Sequence, residues 1–277
     1  MTGREATPWP VAPSGVEWGL HVIDLADGSV LASDSADTVL RTASIGKIFL
    51  LIEVARRLSV GELHPDDLCE ASAEHYVEDS GLLHAMRRRS LPVNDAAVLV
   101  AAVSDNLATN ALLDLCGLEA VRGVAGELGL RRTALLDYIR AERTPEMPWT
   151  PSYGTPRELA EVMGMLHCSA VFGSSVSAQV LDWLALGTDT SMVASALKVD
   201  PLAHAEPDPR GLVLHHKTGT TSFARADVGI IRGPGGCLAY AVAANWPEDG
   251  PSLHVPVLDA MAQVGNRLVE IVEEGRA

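Results

Sequence analysis

The amino-acid sequence predicts an α/β fold in which an antiparallel sheet, formed by the N- and C-terminal segments, is flanked by helices and carries an inserted all-helical domain. Two observations predict this fold. Strand patterns occupy both ends of the 277-residue chain, and helical periodicity fills the middle. We therefore expect an α/β sandwich domain from residues 1–40 and 207–277, a helical domain from residues 41–206, and an active site in the cleft between them.

The strands are predicted from alternating apolar residues. Trp18, Leu20 and Val22 lie on one face of an extended segment. A turn signal at Ala26–Gly28 precedes the apolar segment Val30–Ala32, which is typical of a β-hairpin. Three further strand patterns, with a glycine-rich turn between the last two, occur at residues 211–216, 227–232 and 237–245.

Helices are predicted between these strands, because apolar residues recur there at helical spacing. Gly117 and Gly129 interrupt the pattern, and Pro145, Pro148 and Pro151 exclude a helix from the segment around them. The predicted helices cover residues 45–58, 95–103, 107–115, 118–128, 157–166 and 176–186, and a final amphipathic helix covers residues 255–274.

The charge of the chain restricts its partners. Lys and Arg total 21 against 36 Asp and Glu, and the resulting net charge of −15 repels nucleic acid and anionic lipid. No apolar run approaches the roughly 18 residues that are needed to cross a membrane. We therefore expect neither a nucleic-acid partner nor a membrane partner.

The N-terminal segment bears on localisation. Residues 1–16 lack the apolar stretch of about 7–15 residues that a secretory signal needs. We therefore expect a cytoplasmic protein, which would be exported only if a leader has been removed.

Histidine and cysteine patterns predict no metal and no cofactor. His215 and His216 are adjacent on a predicted strand, so they face opposite ways and do not form a metal-binding pair. The sequence contains no C-x-x-C pair. Four dispersed cysteines are predicted to be buried free thiols: Cys69, Cys116, Cys168 and Cys237.

Three short motifs occur in order along the chain: Ser44–Lys47 (Ser-Ile-Gly-Lys), Ser104–Asn106 (Ser-Asp-Asn) and Lys217–Gly219 (Lys-Thr-Gly). A Ser-x-x-Lys sequence alone is a weak signal, because about one is expected by chance in a chain this long. Each of the two tripeptides is expected roughly 0.03 times by chance. The three motifs together therefore indicate a catalytic constellation.

The chemistry of these motifs is that of a serine nucleophile. Ser44 precedes an apolar helix, where the backbone N–H and the helix dipole favour a developing negative charge. Lys47 lies three residues further on and shares a helix face with Ser44. A second cation, Lys217, is expected to depress the pKa of Lys47, so that Lys47 serves as a neutral base. Ser104 is predicted to relay a proton to the leaving group.

The same motifs predict how a substrate is held. Asn106 is expected to bind a substrate amide. The segment Lys217–Gly219 is predicted to be an edge strand, in which the small Gly219 lets the substrate approach the backbone closely. The predicted oxyanion hole consists of the backbone N–H groups of Ser44 and Thr220.

The three motifs resemble the active site of serine β-lactamases of the class A type and of their β-lactamase-like relatives in the penicillin-binding protein superfamily. The resemblance covers residues 16–274 and implies an α/β sandwich with a helical domain. Five further segments are similar to that family: residues 79–83, 104–110, 155–160, 189–192 and 225–229.

The resemblance implies roles for residues around the three motifs. Thr218 and Thr220 would bind the substrate carboxylate. Arg225 falls on the strand after Lys217, where the family often keeps an arginine for the same carboxylate. An ordinary exposed strand arginine is the alternative. Tyr76 lies near the position of an aromatic wall of the family's cleft, and plain packing is the alternative for it.

The sequence departs from the class A pattern in the Ω-loop, which here comprises Leu136–Glu146. Class A enzymes hydrolyse the acyl-enzyme with a glutamate in a Glu-x-x-Leu-Asn context. This chain lacks that motif, and Ile139 or Arg140 occupies the aligned position. Glu142 is the nearest carboxylate on the C-terminal side of that position and is predicted to be the base, followed by Glu146. Solvated surface charges are the alternative for both.

We therefore predict a serine hydrolase that forms an acyl-enzyme and hydrolyses β-lactam rings, acting as a monomer on a small-molecule substrate. A D-Ala-D-Ala-type peptidase, or an esterase or amidase of a small molecule, would use the same site. A non-hydrolytic penicillin-binding module is the alternative from another class, because acylation without a positioned base leaves a stalled adduct.

Overall fold

The computed structural model describes residues 8–202 and 208–274. Its ten strands are β1 Glu17–Asp24, β2 Val30–Asp34, β3 Leu40–Arg41, β4 Leu68–Cys69, β5 Leu91–Pro92, β6 Ala134–Leu135, β7 Ser152–Gly154, β8 Val213–Thr221, β9 Ala224–Gly233 and β10 Gly236–Asn245. The main sheet has five strands in the order β2-β1-β10-β9-β8, and all neighbouring strands are antiparallel. This topology confirms the predicted sheet built from both ends of the chain.

The described helices agree with the predicted ones to within a few residues at each end. Their starts carry the expected capping groups: Thr155 Oγ1 accepts a hydrogen bond from Glu158 N (3.3 Å), and Asp105 accepts one from Ala108 N (2.9 Å). The helices are α1 Lys47–Ser59, α2 Val93–Ala102, α3 Asn106–Cys116, α4 Leu118–Glu127, α5 Pro156–His167, α6 Ser174–Leu184 and α7 His254–Glu274.

The two faces of the sheet are covered by different helices. Helix α7 buries Met261 and Leu268 against the face that carries Trp18 and Leu20. Helix α5 covers the opposite face, where it joins the core of the helical part of the chain around α1. Because α1 is buried along its length from Lys47 to Ala55, the segment that follows Ser44 is held in the middle of the molecule.

The domain boundaries at residues 40/41 and 206/207 stay predictions, and the second boundary lies outside the described residues. Helix α5 belongs by sequence to the segment 41–206 but packs on the sheet. That segment also contains the small sheet β4-β5 and most of a second one, β3-β7-β6, whose strand β3 begins at Leu40. The sequence analysis predicted neither sheet. Ladders of two or three residues are too short to produce a periodic pattern.

Strand β8 is longer than predicted and includes the Lys217–Gly219 motif at the edge of the main sheet. The prediction of buried cysteines is correct for Cys69 and Cys116, whereas Cys168 is exposed and Cys237 is half-buried. Within residues 8–202 and 208–274, no helix is long and apolar enough to span a membrane. The same residues contain no cluster of three metal-ligating side chains.

Candidate active site

A cleft of about 730 Å³ brings the three motifs together. It opens between the N-terminal end of α1, the loop before α3 and the edge strand β8, so each motif contributes one wall. The predicted site residues that line it are Ser44, Ser104, Asn106, Lys217, Thr218 and Thr220.

Ser44 lies in a single 3₁₀ turn, Ala43–Gly46, that continues directly into α1. Ala43 has a φ of +50°, a left-handed conformation that costs free energy in a residue other than glycine. Hydrogen bonds hold this turn: Ile45 N donates to Thr42 O (3.1 Å), and Ser152 Oγ donates to Ala43 O. The strained backbone next to Ser44 is therefore fixed from both sides.

Lys47 is fully buried in the first turn of α1. Its Nζ donates to Ser104 O (2.6 Å), to Asn106 Oδ1 (2.6 Å) and to Ser104 Oγ (3.2 Å). Burial, and secondly the charge of Lys217, holds the pKa of Lys47 well below its ordinary value, although Asp105 and Asp79 oppose the shift. A lysine in this environment gives up its proton readily and acts as a base.

Ser104 connects the two lysines. Its Oγ accepts a hydrogen bond from Lys217 Nζ (2.9 Å) as well as the longer one from Lys47 Nζ. Burial lowers the pKa of Lys217 to about 8. Ser104 itself has a φ of +57°, a strained conformation of the kind that functional sites retain. The three side chains form a continuous path along which protons can move.

Asp105 ties the loop at residues 82–83 to the start of α3. Its fully buried carboxylate accepts hydrogen bonds from Leu82 N (2.6 Å), Leu83 N (2.8 Å) and Ala108 N (2.9 Å). Gly81 has a φ of +125°, and a Cβ atom there would overlap the Asp105 carboxyl. The sequence analysis assigned no role to Asp105, although an Asp directly before a predicted helix is a capping signal.

Gly219 brings β8 against the turn that carries Ser44. A Cβ atom at residue 219 would overlap Thr42 O and would lie 3.1 Å from Ser44 N. Only glycine allows this approach. It brings the backbone of β8 next to the N–H of Ser44, and the following residue, Thr220, lines the cleft.

The side-chain amide of Asn106 is hydrogen-bonded at both its oxygen and its nitrogen. Its Oδ1 accepts the hydrogen bond from Lys47, and its Nδ2 donates to Asp79 Oδ2 (3.1 Å). Asp79 is exposed and lines the cleft. The sequence analysis recognised the segment 79–83 as similar to the family but gave Asp79 no role.

Arg225 does not line the cleft. Its Nη1 donates to Ala224 O (2.8 Å) and to Thr221 O, and its guanidinium lies 5.8 Å from the ring centroid of Trp246. An acidic group, Asp189, lines the cleft near Lys217. Burial opposes ionisation of Asp189, but hydrogen bonds from Ser191 and Thr218 hold the pKa of its carboxyl below the ordinary value.

The other predicted residues lie outside the cleft lining. Glu142 and Glu146 are exposed, and of the Ω-loop only Ala141 lines the cleft. Tyr76 lines a separate pocket of about 370 Å³, where the Arg89 guanidinium lies 4.7 Å from its ring centroid.

A buried asparagine anchors the Ω-loop. Asn110 Nδ2 donates to Ile139 O (2.8 Å), and Ile139 N donates to Asn110 Oδ1 (2.9 Å). Asn110 Nδ2 also donates to His75 O (2.7 Å). This contact ties the Ω-loop to α3, the helix that also carries Asn106.

A five-stranded antiparallel sheet with inserted helices, and a cleft that Ser44 lines and in which Ser104 bonds to two buried lysines, are the fold and site of a hydrolase of the β-lactamase type. The family model of the β-lactamase enzyme family matches residues 9–272. The chain belongs to that family. No curated protein matches it.

Solved structures agree with this assignment. A β-lactamase from Sphaerobacter thermophilus is 26% identical, with 94% of this chain and 92% of that chain covered, and the TM-score is 0.80. Two others are similar in fold. PBP-A is 20% identical (95% and 92% covered, TM-score 0.77), and an ancestral Gram-negative class A β-lactamase is 22% identical (93% and 95% covered, TM-score 0.76).

Proposed function

We propose that this protein is a class A-like β-lactamase, which hydrolyses β-lactam rings through an acyl-enzyme at Ser44. The observation that carries the proposal is the hydrogen-bonded path Lys47–Ser104–Lys217 in the cleft that Ser44 lines. A path of this kind supplies a base for the nucleophile and an acid for the leaving nitrogen within one site.

In the acylation step, neutral Lys47 accepts the proton of Ser44 as Oγ bonds to the lactam carbonyl carbon. The backbone N–H groups of Ser44 and Thr220 stabilise the oxyanion. When the carbonyl–nitrogen bond breaks, Ser104 Oγ–H donates its proton to the nitrogen and recovers one from the adjacent lysines. Lys47 and Lys217 both donate hydrogen bonds to that oxygen, so each can replace the proton.

Substrate binding uses the other walls of the cleft. Asn106 receives the substrate amide, and Thr218, Gly219 and Thr220 receive the carboxylate along β8. Arg225 does not line the cleft, and its guanidinium is occupied by the carbonyl oxygens of Thr221 and Ala224. Its contribution to carboxylate binding is therefore weaker than that of a bidentate arginine.

A second candidate function is a penicillin-binding module that acylates and deacylates very slowly. The sequence pattern predicted Glu142 as the base for deacylation, yet Glu142 is exposed and outside the cleft lining. One similar solved structure is described as the L158E mutant of PBP-A in an acyl-enzyme complex with penicillin G. A D-Ala-D-Ala-type peptidase, esterase or amidase would use the same acylation chemistry.

The test is the intact mass of the protein over time after a penicillin or a cephalosporin is added. An adduct that forms and then clears, together with hydrolysed drug, supports the β-lactamase; a persistent adduct supports the penicillin-binding module. Ser44→Ala should form no adduct. The matched control is Ser222→Ala, which removes another hydroxyl that lines the cleft and should leave acylation intact. Neither adduct nor hydrolysis by the unmodified protein would contradict both functions.

A further inference from the structure

Two carboxylates line the cleft within the described part of the chain, Asp79 and Asp189. Asp189 is occupied. Its Oδ1 accepts hydrogen bonds from Ser191 Oγ (2.6 Å) and Ser191 N (3.1 Å), and its carboxyl also accepts one from Thr218. The Asp189 carboxylate therefore supports β8 through Thr218, and these hydrogen bonds already occupy its oxygens.

Asp79 is bound on one side only. Its Oδ2 accepts the Asn106 amide, whereas among the residues described its Oδ1 has no hydrogen-bond partner. The side chain is exposed, so water reaches Oδ1. Asn106 in turn bonds to Lys47, and the carboxylate is close enough to influence the charge of that lysine. Asp79 thus has one anchored oxygen and one that faces solvent at the mouth of the cleft.

The backbone around Asp79 is fixed to the catalytic loop. Asn106 N donates to Ser80 O (2.9 Å), and Gly81 lies directly against Asp105. The two residues that follow Ser104 therefore hold the segment that presents Asp79. A catalytic base needs such support, because a misplacement of about 1 Å is costly in rate.

The Ω-loop contributes one residue to the lining of the same cleft, Ala141, whose side chain is neither an acid nor a base. Among the side chains that line the cleft, Asp79 therefore has the carboxylate oxygen that is open to a water molecule, and the Ω-loop contributes none.

We propose that Asp79 is the general base that activates the deacylating water. The inference rests on the proposed function, since it requires an acyl-enzyme at Ser44. The Asp79 carboxylate accepts a proton from water as the water oxygen bonds to the acyl carbonyl carbon. The bond between that carbon and Ser44 Oγ then breaks, and the departing oxygen receives a proton from Lys47, which retains the Ser44 proton because Lys217 refills Ser104. The product leaves as a carboxylic acid, and solvent carries the proton on Asp79 back to neutral Lys217, so every group regains its starting state.

The test separates acylation from deacylation. Penicillin is added to the full chain, and the formation and the clearance of the adduct are each timed by intact mass. Asp79→Asn keeps an oxygen that accepts the Asn106 amide but removes the base. We expect acylation close to that of the unmodified protein and clearance about 100-fold slower or more. Asp79→Glu should restore part of the clearance rate.

Two matched controls exclude simpler explanations. Glu78→Gln removes the same charge from the neighbouring exposed residue and should clear the adduct at the original rate. Glu142→Gln removes the Ω-loop candidate and should do the same. Hydroxylamine attacks an ester without a general base, so it should clear the adduct of Asp79→Asn and of the unmodified protein at similar rates.

Three results would overturn the inference. Clearance by Asp79→Asn at the rate of Glu78→Gln would exclude Asp79 as the base. Slow clearance by Glu142→Gln alone would assign the role to the Ω-loop. An equal loss of acylation and clearance in Asp79→Asn would show that Asp79 only positions Asn106. If the unmodified protein forms no adduct and hydrolyses no drug, the proposed function itself fails, and that result is distinct from these three.

Discussion

Lys217 Nζ donates a hydrogen bond to Ser104 Oγ across 2.9 Å and so joins the edge strand β8 to the loop that precedes α3. Lys217 lies on strand β8, whereas Ser104 has a left-handed backbone and is followed by Asp105, whose carboxylate accepts a hydrogen bond from Leu82 N (2.6 Å). The cleft therefore forms where the main sheet meets the helices.

The first prediction concerns pH. Because burial lowers the pKa of Lys217 to about 8, the side chain is cationic below that pH and neutral above it. We expect kcat/KM for a β-lactam with a free carboxylate to fall as the pH rises through about 8, since the cation that attracts the substrate is lost. The methyl ester of the same β-lactam lacks the negative charge and should show a smaller fall. Equal pH profiles for acid and ester would contradict this role of Lys217.

The second prediction concerns the approach of β8 to Ser44. In Gly219→Ala, the new methyl group overlaps Thr42 O, so β8 or the Ser44 turn must move. We expect acylation to slow by about 100-fold or more, as on loss of an oxyanion-hole donor, and the free energy of unfolding to fall by about 1–3 kcal/mol. Adduct formation and denaturant unfolding measure the two effects. Gly236→Ala, at a position in β10 with open space around it, should change neither.

The third prediction concerns the loop that holds Asp105. Gly81→Ala introduces both an unfavourable positive φ and an overlap with the Asp105 carboxyl. Gly173→Ala also falls at a positive φ (+105°) with nothing within 4 Å, so it measures the cost of the backbone conformation alone, about 1 kcal/mol. We expect Gly81→Ala to destabilise the fold by more than this and to slow acylation as well. Equal losses of stability in the two variants would show that the overlap is relieved without cost.

The fourth prediction concerns the anchor of the Ω-loop. Asn110→Ala leaves both backbone groups of Ile139 without their partner, which we expect to cost about 1–3 kcal/mol and to loosen the loop. Amide hydrogen exchange within residues 136–146 should accelerate markedly. Asn94→Ala, on α2, removes only a long contact with Trp183 (3.4 Å) and serves as the control. Unchanged exchange in Asn110→Ala would mean that the loop is held by other contacts.

Much of the fold follows from the sequence because its signals are local. Alternation predicted β1 and β2, helical spacing predicted α1 to α7, and glycine positions predicted where helices end. The three motifs predicted which side chains meet, because their residue types and order are rare by chance. The family match and the sheet topology agree with the predicted family and fold.

What the sequence did not predict depends on contacts between distant segments. The partners of Asp105 and Asp79 lie in loops whose path is not periodic, so no pattern indicated them. The direction of Arg225 is decided by the carbonyl groups of Thr221 and Ala224, which a one-dimensional pattern does not reveal. The prediction that Glu142 is the base rests on its position along the chain, whereas the exposure of its side chain depends on how the Ω-loop folds.

The position of β1 in the main sheet has a consequence for how the chain is made. Glu17 in β1 pairs with Asn245 in β10, so the inner edge of β1 stays uncovered until almost the whole polypeptide has been made. Closing so long a loop costs entropy and slows folding. During synthesis the β1–β2 hairpin leaves the ribosome with the β1 edge still unpaired, and the sheet is completed only when β10 emerges. Events that delay the end of translation therefore leave this edge available for pairing with other chains.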